Sequence, residues 1–317
     1  MVANLSHQYR TTVDPSASNN PHSYALELVG GGHRVLEVGC STGHVTKHLV
    51  AAGNTVVGVE IDESAAVEAR QVTDVVHVVD LDMTKLSSIE DGEFDVILLG
   101  DVLEHVRNPP AVLGDIVTLL APAGRLVVSV PNAAHVDVRL MLLEGRVEYQ
   151  DDGLLDRTHL RWFTKASFRE LLDGCGFVAT DMRRVIFPLG GSNVPFDRSA
   201  HSDATIDFVL SDPDALSYQY VVECRPRSET GDTPDVLAPL EWPWPAHSCE
   251  ATADELAELR VRTARLQAEV DSWENSTVAK LTKPLRAVSG KLRRALAARA
   301  SSCVWGQAPF ATVAKGA

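Results

Sequence analysis

Two glutamates beside a glycine-containing bend are the first residues in the chain that could do chemistry. Glu37 lies inside the segment V-L-E-V-G-C-S-T-G of Val35–Gly43, and Glu60 ends the later run V-V-G-V-E. Gly39 and Gly43 have no β-carbon, so a ligand can approach the backbone closely at this bend. A carboxylate in the bend is poorly suited to a phosphate and suits a ligand that carries an ammonium group. The carboxylate of Glu60 can accept hydrogen bonds from ribose hydroxyls.

The same bend differs from the phosphate-binding turn of dinucleotide enzymes. That turn needs three glycines in G-x-G-x-x-G, with the amino terminus of a helix aimed at the pyrophosphate. Here Ser41 replaces the second glycine, and His44 stands where the third would be due, with Gly43 one place before it. A nicotinamide-dependent oxidoreductase is therefore disfavoured, and the bend favours a cationic ligand without phosphate.

A histidine between two arginines forms a second candidate site, in the segment L-D-R-T-H-L-R-W-F-T of Leu155–Thr164. The intrinsic pKa of His159 suits a general base. Arg157 and Arg161 could bind a phosphate group of an acceptor. A second interpretation stays open, in which Asp156, Arg157 and His159 form a polar network that fixes the local chain.

His105, in the block D-V-L-E-H, is the alternative base. It ranks second because the helix that carries it would turn it toward the ligand of the glycine bend. Elsewhere the sequence has no His, Asp and Glu set with the spacing of metal ligands, so we expect no metal site and no metal-dependent catechol chemistry.

Apolar runs alternate with helix-like stretches along the part of the chain that carries these residues. The runs are short, rich in β-branched residues and almost continuously apolar, which is typical of strands covered on both faces. The predicted strands are Arg34–Val38, Thr55–Glu60, Val75–Val79, Phe94–Leu99, Arg125–Val130, Phe177–Val185 and Tyr218–Cys224. The predicted helices are His44–Ala52, Glu63–Val72, Pro110–Leu120 and Thr164–Cys175. This alternation predicts an α/β fold with a doubly wound, mostly parallel sheet, in which ligands bind beyond the strand ends.

The chain is expected to extend beyond this domain on both sides. We predict a flexible amino terminus over residues 1–22, the α/β domain over 23–225 and a proline-rich linker over 226–250. Residues 251–275 follow a three-four apolar spacing and predict an amphipathic or coiled-coil-like helix. Residues 276–317 form a basic tail with eight basic and no acidic residues.

The charge and cysteine content exclude several classes of protein. The net charge is −14 although the tail is basic, so the body is acidic, and we expect no nucleic acid partner. The five cysteines include no C-x-x-C pair, which favours free thiols in a reducing cytoplasm. We expect no transmembrane helix and no secretory signal. Residues 251–300 could contact the inner face of a membrane or a second copy of the chain, or could pack on the acidic body.

The segment E-V-G-C-S-T-G resembles the first motif of class I S-adenosylmethionine-dependent methyltransferases, where E/D-x-G-x-G-x-G is usual, with Ser41 as a departure. The resemblance implies a Rossmann-like fold with S-adenosyl-L-methionine as cofactor. It assigns Glu60 to the ribose and Asp80, in V-V-D-L-D, to the adenine, with Asp82 as a near competitor. The implied cofactor-binding residues are Glu37, Gly39, Cys40, Ser41, Gly43, Glu60, Ile61, Asp80, Leu81 and Asp101.

Two further blocks resemble particular branches of that family, and the resemblance spans roughly Arg34 to Val185. D-V-L-E-H is similar to the ubiquinone-biosynthesis-like and sugar-modifying types. L-D-R-T-H-x-R-x-F-T is similar to bacterial methyltransferases of glycans and glycolipids, and places His159 in a substrate cap after the fifth strand. The segment from Trp273 to Arg286 resembles one seen at the ends of bacterial surface-polysaccharide enzymes. The substrate-binding candidates are Asn132, Arg157 and Arg161.

Three functions follow as expectations from these resemblances. The first is O-methylation of a sugar hydroxyl in a surface polysaccharide, glycolipid or glycosylated metabolite. The second is methylation of a quinone-like or other aromatic small molecule, whose pocket Trp162 and Phe163 could line. The third is a cofactor-binding scaffold without catalysis, which would recruit glycan-assembly proteins through residues 251–317.

Overall fold

The computed structural model describes residues 12–231, 233–238, 261–266 and 268. The fold of this part of the chain is built around one β-sheet. Within these residues seven strands pair in the order β3-β2-β1-β4-β5-β7-β6. Strand β7 runs antiparallel to both of its neighbours, β5 and β6, and the other pairs are parallel. The strands are β1 Arg34–Val38, β2 Thr55–Glu60, β3 Val75–Val78, β4 Phe94–Gly100, β5 Leu120–Pro131, β6 Phe177–Ile186 and β7 Ser217–Pro226. The predicted α/β fold with a mostly parallel sheet is confirmed.

Helices cover both faces of this sheet. They are α1 Pro21–Val29, α2 Thr46–Ala51, α3 Glu63–Ala69, α4 Pro109–Val117, α5 Val136–Leu143, α6 Lys165–Gly174, α7 Asp203–Leu210 and α8 Arg227–Thr230. Alternate strand residues face opposite layers. Leu36 and Val57 pack in one core with Leu113 of α4, whereas Val35 and Val56 pack in the other. This burial on both faces explains why the strands are almost continuously apolar.

Four of these helices, α1, α5, α7 and α8, were not predicted from the sequence, and α8 lies in the segment predicted as a linker. Helix α1 begins at Pro21, inside the segment assigned to the flexible amino terminus, and the side chain of Asn20 caps it by accepting from two backbone N–H groups. Helices α5 and α7 lie in the segments between β5 and β6 and between β6 and β7. Strand β5 also starts at Leu120, five residues before the predicted start, and Ala123 takes a positive φ of 61° within it.

The carboxyl ends of β1 and β4 mark the point where the strand order reverses direction. The chain passes from β1 outward to β2 and β3, then returns to β4 on the other side of β1. In open α/β sheets a crevice forms at such a switch point and binds ligands. The loops that follow β1, β2, β3 and β4 meet there, and they carry most of the cofactor-binding residues expected from the sequence.

Several sequence predictions lie outside the described residues. These are most of the linker over 226–250, the tail over 276–317 and the predicted helix over 251–275, of which only 261–266 and 268 are described. Residues 261–266 are helical. None of the helices in the described part of the chain combines the length and apolar character needed to cross a bilayer.

Candidate active site

A cleft of about 600 Å³ opens at the switch point of the sheet. Its size is in the usual range of small-molecule sites. Seven of the predicted cofactor-binding residues line it: Gly39, Ser41, Glu60, Ile61, Asp80, Leu81 and Asp101. The cap segment supplies the opposite wall with Asp152, Gly153, Asp156, Thr158 and His159. The fold therefore joins the two candidate sites of the sequence into one cleft.

The glycine bend after β1 has a conformation that favours glycine. Gly39 has a φ of 78°, and a β-carbon there would lie 2.7 Å from Cγ2 of Val102. Such a distance is shorter than side chains tolerate, so the bend depends on the missing side chain. The backbone N–H groups of Gly39 and Cys40 donate to the carbonyl of Val59, which fixes the bend against β2. The backbone at Gly39 is thereby left open to the cleft.

Glu37 lies below the bend in a smaller cavity of about 40 Å³ that shares Gly39 and Asp101 with the main cleft. Its side chain is buried, and Oε2 has no hydrogen-bond partner among the described residues. Burial raises the pKa of this carboxyl to about 8. A buried oxygen without a partner is costly, and an ammonium group of a ligand would remove that cost.

Glu60 ends β2 and is held by backbone groups. Its Oε1 accepts from the N–H groups of Ile61 at 2.8 Å and Asp62 at 2.9 Å, and its Oε2 accepts from Ser41 at 2.8 Å. These bonds tie the glycine bend to the end of β2. They also fix the carboxylate at the wall of the cleft, where its remaining acceptor capacity can serve a pair of hydroxyls.

The two acidic residues after β3 have different environments, although both line the cleft. Asp82 accepts from the backbone N–H of Arg107 at 2.8 Å and also pairs with its guanidinium group. Asp80 accepts from the backbone N–H of Asp82 at 2.9 Å. The carboxylate of Asp82 is thus committed to Arg107, which leaves Asp80 as the better candidate for the adenine amino group.

Besides Glu37, two of the predicted cofactor-binding residues, Cys40 and Gly43, do not line the cleft. The thiol of Cys40 is buried in a small apolar cluster with Ala66, Ala69 and Val76. A β-carbon at Gly43 would lie 3.2 Å from Cα of Ala69, so this glycine permits α3 to pack closely against the bend. Both residues therefore lie on the side of the bend that packs against α3, and they support its shape from that side.

Asp101 follows β4 and has an unusual backbone. Its φ is 55°, a left-handed conformation that is uncommon outside glycine. Its Oδ1 accepts from Oγ of Ser129 at 2.7 Å and from Nε2 of Gln219 at 2.5 Å. Strain of this kind persists only where the surroundings enforce it, and it is common at functional sites.

His22 of α1 also reaches the cleft, and sequence reasoning missed it. Its ring lies 5.5 Å from that of His44, edge to face. Burial lowers the pKa of both histidines, that of His44 to about 4, so both are neutral near pH 7. The cap of α1 by Asn20 and Pro21 is readable in the sequence, but the packing of α1 over the bend is a tertiary effect.

The two candidate bases, His105 and His159, face each other at the cap side of the cleft. Their ring centroids lie 4.8 Å apart at an interplanar angle of 74°. Nδ1 of His159 lies 3.3 Å from the carbonyl oxygen of Leu154 and therefore donates to it. Burial is the main cause that lowers the pKa of each imidazole. A neutral His159 with its proton on Nδ1 has a lone pair on Nε2, as a general base requires.

The same region also contains the buried carboxylate of Glu104, which precedes His105 in the D-V-L-E-H block. One possible ligand atom from each of Glu104, His105 and His159 lies within 4.8 Å of the other two. The sequence predicted no metal site because the two histidines belong to segments that only the folded chain brings together.

The three predicted substrate-binding residues do not line the cleft. Asn132 is fully buried and donates to the carbonyl of Ser217 at 2.7 Å, which fixes β5 against β7. Arg157 pairs with Asp151 at the surface, and Arg161 donates to the carbonyl of Arg107 at 2.6 Å. The turns of this segment direct both arginines to these other partners while His159 lines the cleft, so a phosphate site inside the cleft is not supported.

These features fit the parts of S-adenosylmethionine. The bend at Gly39 lets a ligand approach the backbone, the orphaned oxygen of Glu37 suits its ammonium group, and Glu60 suits its ribose. The acidic residues that follow β2, β3 and β4 suit a ligand with a net positive charge and disfavour a pyrophosphate.

Glu60→Gln should weaken donor binding by about 1–3 kcal/mol, the loss typical of a hydrogen bond to a charged group. The amide has one acceptor oxygen where the carboxylate has two, so it cannot serve both the backbone N–H groups and a ribose. Titration calorimetry with S-adenosylhomocysteine measures the effect. Asp82→Asn is the matched control, because its carboxylate is engaged by Arg107, and a larger loss there than at Glu60 would contradict the assignment.

Comparison with known proteins agrees with this geometry. The sequence profile of a methyltransferase-domain family matches residues 9–181, more than half of the chain. The chain is 28% identical over 160 residues to the ubiquinone biosynthesis O-methyltransferase of Rhodopseudomonas palustris, over 49% of this chain and 62% of that protein. It is 27% identical over 159 residues to a probable S-adenosylmethionine-dependent methyltransferase of Mycolicibacterium smegmatis, over 50% of this chain and 57% of that protein. The chain thus spans less than two thirds of the length of either relative.

A solved structure is also similar, namely a SAM-dependent methyltransferase from Archaeoglobus fulgidus. It shares 16% identity with a TM-score of 0.47, over 64% of this chain and 91% of that one. The family match covers the strands and loops that build the donor side of the cleft. The chain therefore belongs to the class I S-adenosylmethionine-dependent methyltransferase domain family.

Proposed function

We propose that the protein transfers the methyl group of S-adenosylmethionine to a hydroxyl oxygen of an acceptor that enters beneath the cap. The observation that carries the proposal is the pair of imidazoles at the cap side of the cleft, across from the donor-binding residues. Both have a lowered pKa, and both line the same cleft as Glu60 and Asp80. A base is needed for a hydroxyl acceptor and much less for an amine or a carboxylate.

The protein's own contribution is alignment, exclusion of water and removal of one proton. When bound, the donor supplies an activated methyl group on a sulfonium. Glu37, Gly39 and Glu60 hold the donor in one orientation, and the cap covers the acceptor side. Nε2 of His159 accepts the proton of the acceptor hydroxyl, while Leu154 holds the ring by its other nitrogen. Alignment of this kind supplies much of the rate enhancement in a displacement reaction.

The acceptor we favour is a sugar hydroxyl of a glycan, glycolipid or glycosylated metabolite. The cap side of the cleft carries hydrogen-bonding side chains, including Asp152, Asp156, Thr158 and Tyr218. Such groups match an acceptor with several hydroxyls, because each buried polar group needs a partner. Arg157 and Arg161 point elsewhere, so any phosphate of the acceptor would lie outside the cleft.

A quinone-like phenol is the second candidate acceptor. It is favoured by the name of the Rhodopseudomonas relative, a ubiquinone biosynthesis O-methyltransferase. The aromatic residues expected to line such a pocket are placed differently. Phe163 is buried in the main core and Trp162 is 37% exposed, close to Tyr149.

Parallel assays with a labelled methyl donor separate these candidates. One panel holds nucleotide sugars, glycolipids and cell-envelope extracts, and the other holds catechols and hydroxylated quinones. We expect turnover on the first panel. The labelled methyl group should then be held in an ether linkage that is stable to base. Turnover on phenols alone would favour the second candidate, and donor binding without turnover on either panel would support a non-catalytic scaffold.

The pH dependence should show a base with a depressed pKa. Burial lowers the pKa of His159, so the imidazole stays neutral down to a pH below the ordinary value of 6.5. We expect kcat/KM to be flat at neutral pH and to fall on the acid side only below pH 6.5, as His159 takes up a proton. A fall that begins well above pH 7 would contradict a buried neutral imidazole as the base.

A further inference from the structure

Three side chains from two distant segments converge at the acceptor end of the cleft. Glu104 and His105 lie in the short 3-10 turn Leu103–His105 after β4, and His159 lies in the cap. One ligand atom from each lies within 4.8 Å of the other two. We propose that Glu104, His105 and His159 bind a divalent transition-metal ion of the zinc or cobalt type, which holds the acceptor hydroxyl.

The burial of Glu104 points to a cationic ligand. The side chain is 1% exposed, and its Oε2 has no hydrogen-bond partner among the described residues. A buried carboxylate oxygen without a partner costs free energy, which natural proteins avoid unless a ligand compensates for it. Described residues that line the same cleft around it include Asp101 and Asp156, so the surroundings are acidic and attract a cation.

Hydrogen bonds orient both imidazoles as metal ligands. Nδ1 of His159 donates to the carbonyl of Leu154. Oγ1 of Thr158 donates to Oδ1 of Asp156 at 2.7 Å and can accept from Nδ1 of His105 at 3.2 Å. Each ring then has its lone pair on Nε2. Histidines that bind metals usually donate their second ring nitrogen to a carbonyl or carboxylate in this manner, and such partners fix the tautomer.

The chemistry of the donor set selects the type of ion. Two imidazoles and one carboxylate are ligands that zinc and similar transition metals accept, whereas magnesium and calcium prefer oxygen ligands alone. Ligands at about 2.0–2.2 Å from a tetrahedral ion lie roughly 3.4 Å from each other. The present set, whose ligand atoms lie within 4.8 Å of one another, would therefore contract by at most about 1.4 Å, a change that side-chain torsions can provide. Three protein ligands leave a fourth position for the acceptor.

The metal gives the proposed methyl transfer a second way to activate the acceptor, and this part rests on the proposed function. A hydroxyl bound to the ion loses its proton more easily, and that proton passes to solvent water. The oxygen then forms a bond to the methyl carbon as the carbon–sulfur bond breaks, and sulfur keeps the electron pair. In this arrangement His159 is a metal ligand. The ion, in place of a general base, promotes the loss of the proton from the acceptor hydroxyl.

Metal binding by the intact protein tests the proposal directly. Chelator-treated protein is titrated with Zn²⁺ by calorimetry and with Co²⁺ by visible absorption, which reports nitrogen ligands through its ligand-field bands. We expect one equivalent to bind, with at least 10-fold weaker affinity in Glu104→Gln and His105→Gln, and about 10-fold weaker affinity in Thr158→Val. His77→Gln is the matched control, because His77 also pairs with a glutamate, Glu90, but outside the cleft.

The outcomes separate this proposal from the proposed function. Donor binding by each variant, measured with S-adenosylhomocysteine, shows that the fold is intact. The absence of stoichiometric binding by the wild-type protein would overturn the metal site, and so would unchanged affinity in Glu104→Gln. Methyl transfer at full rate by metal-free protein would also overturn the site while leaving the methyltransferase proposal in place. Stoichiometric binding without any methyl transfer would support the site and contradict the proposed function.

Discussion

Gly39→Val should abolish detectable donor binding. The residue has a φ of 78°, and its first added carbon would meet Cγ2 of Val102 at 2.7 Å. A β-branched side chain at this φ is a severe outlier, so the bend must move or the side chain must enter the space of the donor. We expect affinity for S-adenosylmethionine to fall by at least 100-fold in calorimetry. The free energy of unfolding should fall by about 1–3 kcal/mol.

Gly53→Ala separates backbone strain from the loss of the site. Gly53 also has a positive φ, of 83°, but no atom lies within 4 Å of a β-carbon built there, and it does not line the cleft. Because its backbone strain is similar, the control should lose a similar amount of its free energy of unfolding. It should keep its affinity for the donor. A folded Gly39→Val protein that binds the donor as tightly as the wild type would show that the bend is not part of the donor site.

His159→Ala should lower kcat by about 10²-fold or more while leaving donor affinity unchanged. The loss is typical for removal of a general base, and loss of a ligand to an activating metal ion would have a similar effect. His159 lies on the cap, whereas the residues assigned to the donor follow β1, β2 and β3. Rapid-quench measurement of a single turnover isolates the methyl-transfer step, and calorimetry measures the donor.

Two comparison variants distinguish the possible causes of this loss of kcat. His77→Gln removes a half-buried histidine that does not line the cleft and should leave kcat within two-fold of the wild type, as expected for a change away from the reacting groups. Glu104→Gln should lower kcat only if the metal ion takes part, since Glu104 is not needed by a purely imidazole base. A near-normal rate for His159→Ala would leave that residue with the structural role of holding the cap.

Most of the residues on the S-adenosylmethionine side of the cleft could be predicted from the sequence, because they belong to local patterns. A buried strand, a glycine bend and an acidic strand end follow one another within short stretches, and parallel strands bring such ends to one edge. Glu37, Gly39, Glu60 and Asp80 all lie where these patterns place them. Cys40 and Gly43 belong to the same motif but face the packing side of the bend, a distinction that spacing does not show.

The residues on the acceptor side of the cleft were harder to predict from the sequence, because they come from irregular segments. Arg157 and Arg161 have the right chemistry for phosphate, yet the turns that place His159 in the cleft direct them to the surface. The approach of His159 to His105 depends on backbone bonds from Leu160 and Arg161 to the carbonyl of Glu104. Contacts between such separated segments follow from the packed fold and have no local signal.

Donor binding by the purified protein is the most direct test of the whole account. Titration calorimetry with S-adenosylmethionine and with S-adenosylhomocysteine should show one site per chain, with affinity reduced in Glu60→Gln and lost in Gly39→Val. A nicotinamide dinucleotide should show no binding, because the cleft offers carboxylates where a pyrophosphate needs free N–H groups. Clear affinity for the dinucleotide, together with no heat from either methionine-derived nucleoside, would contradict the account.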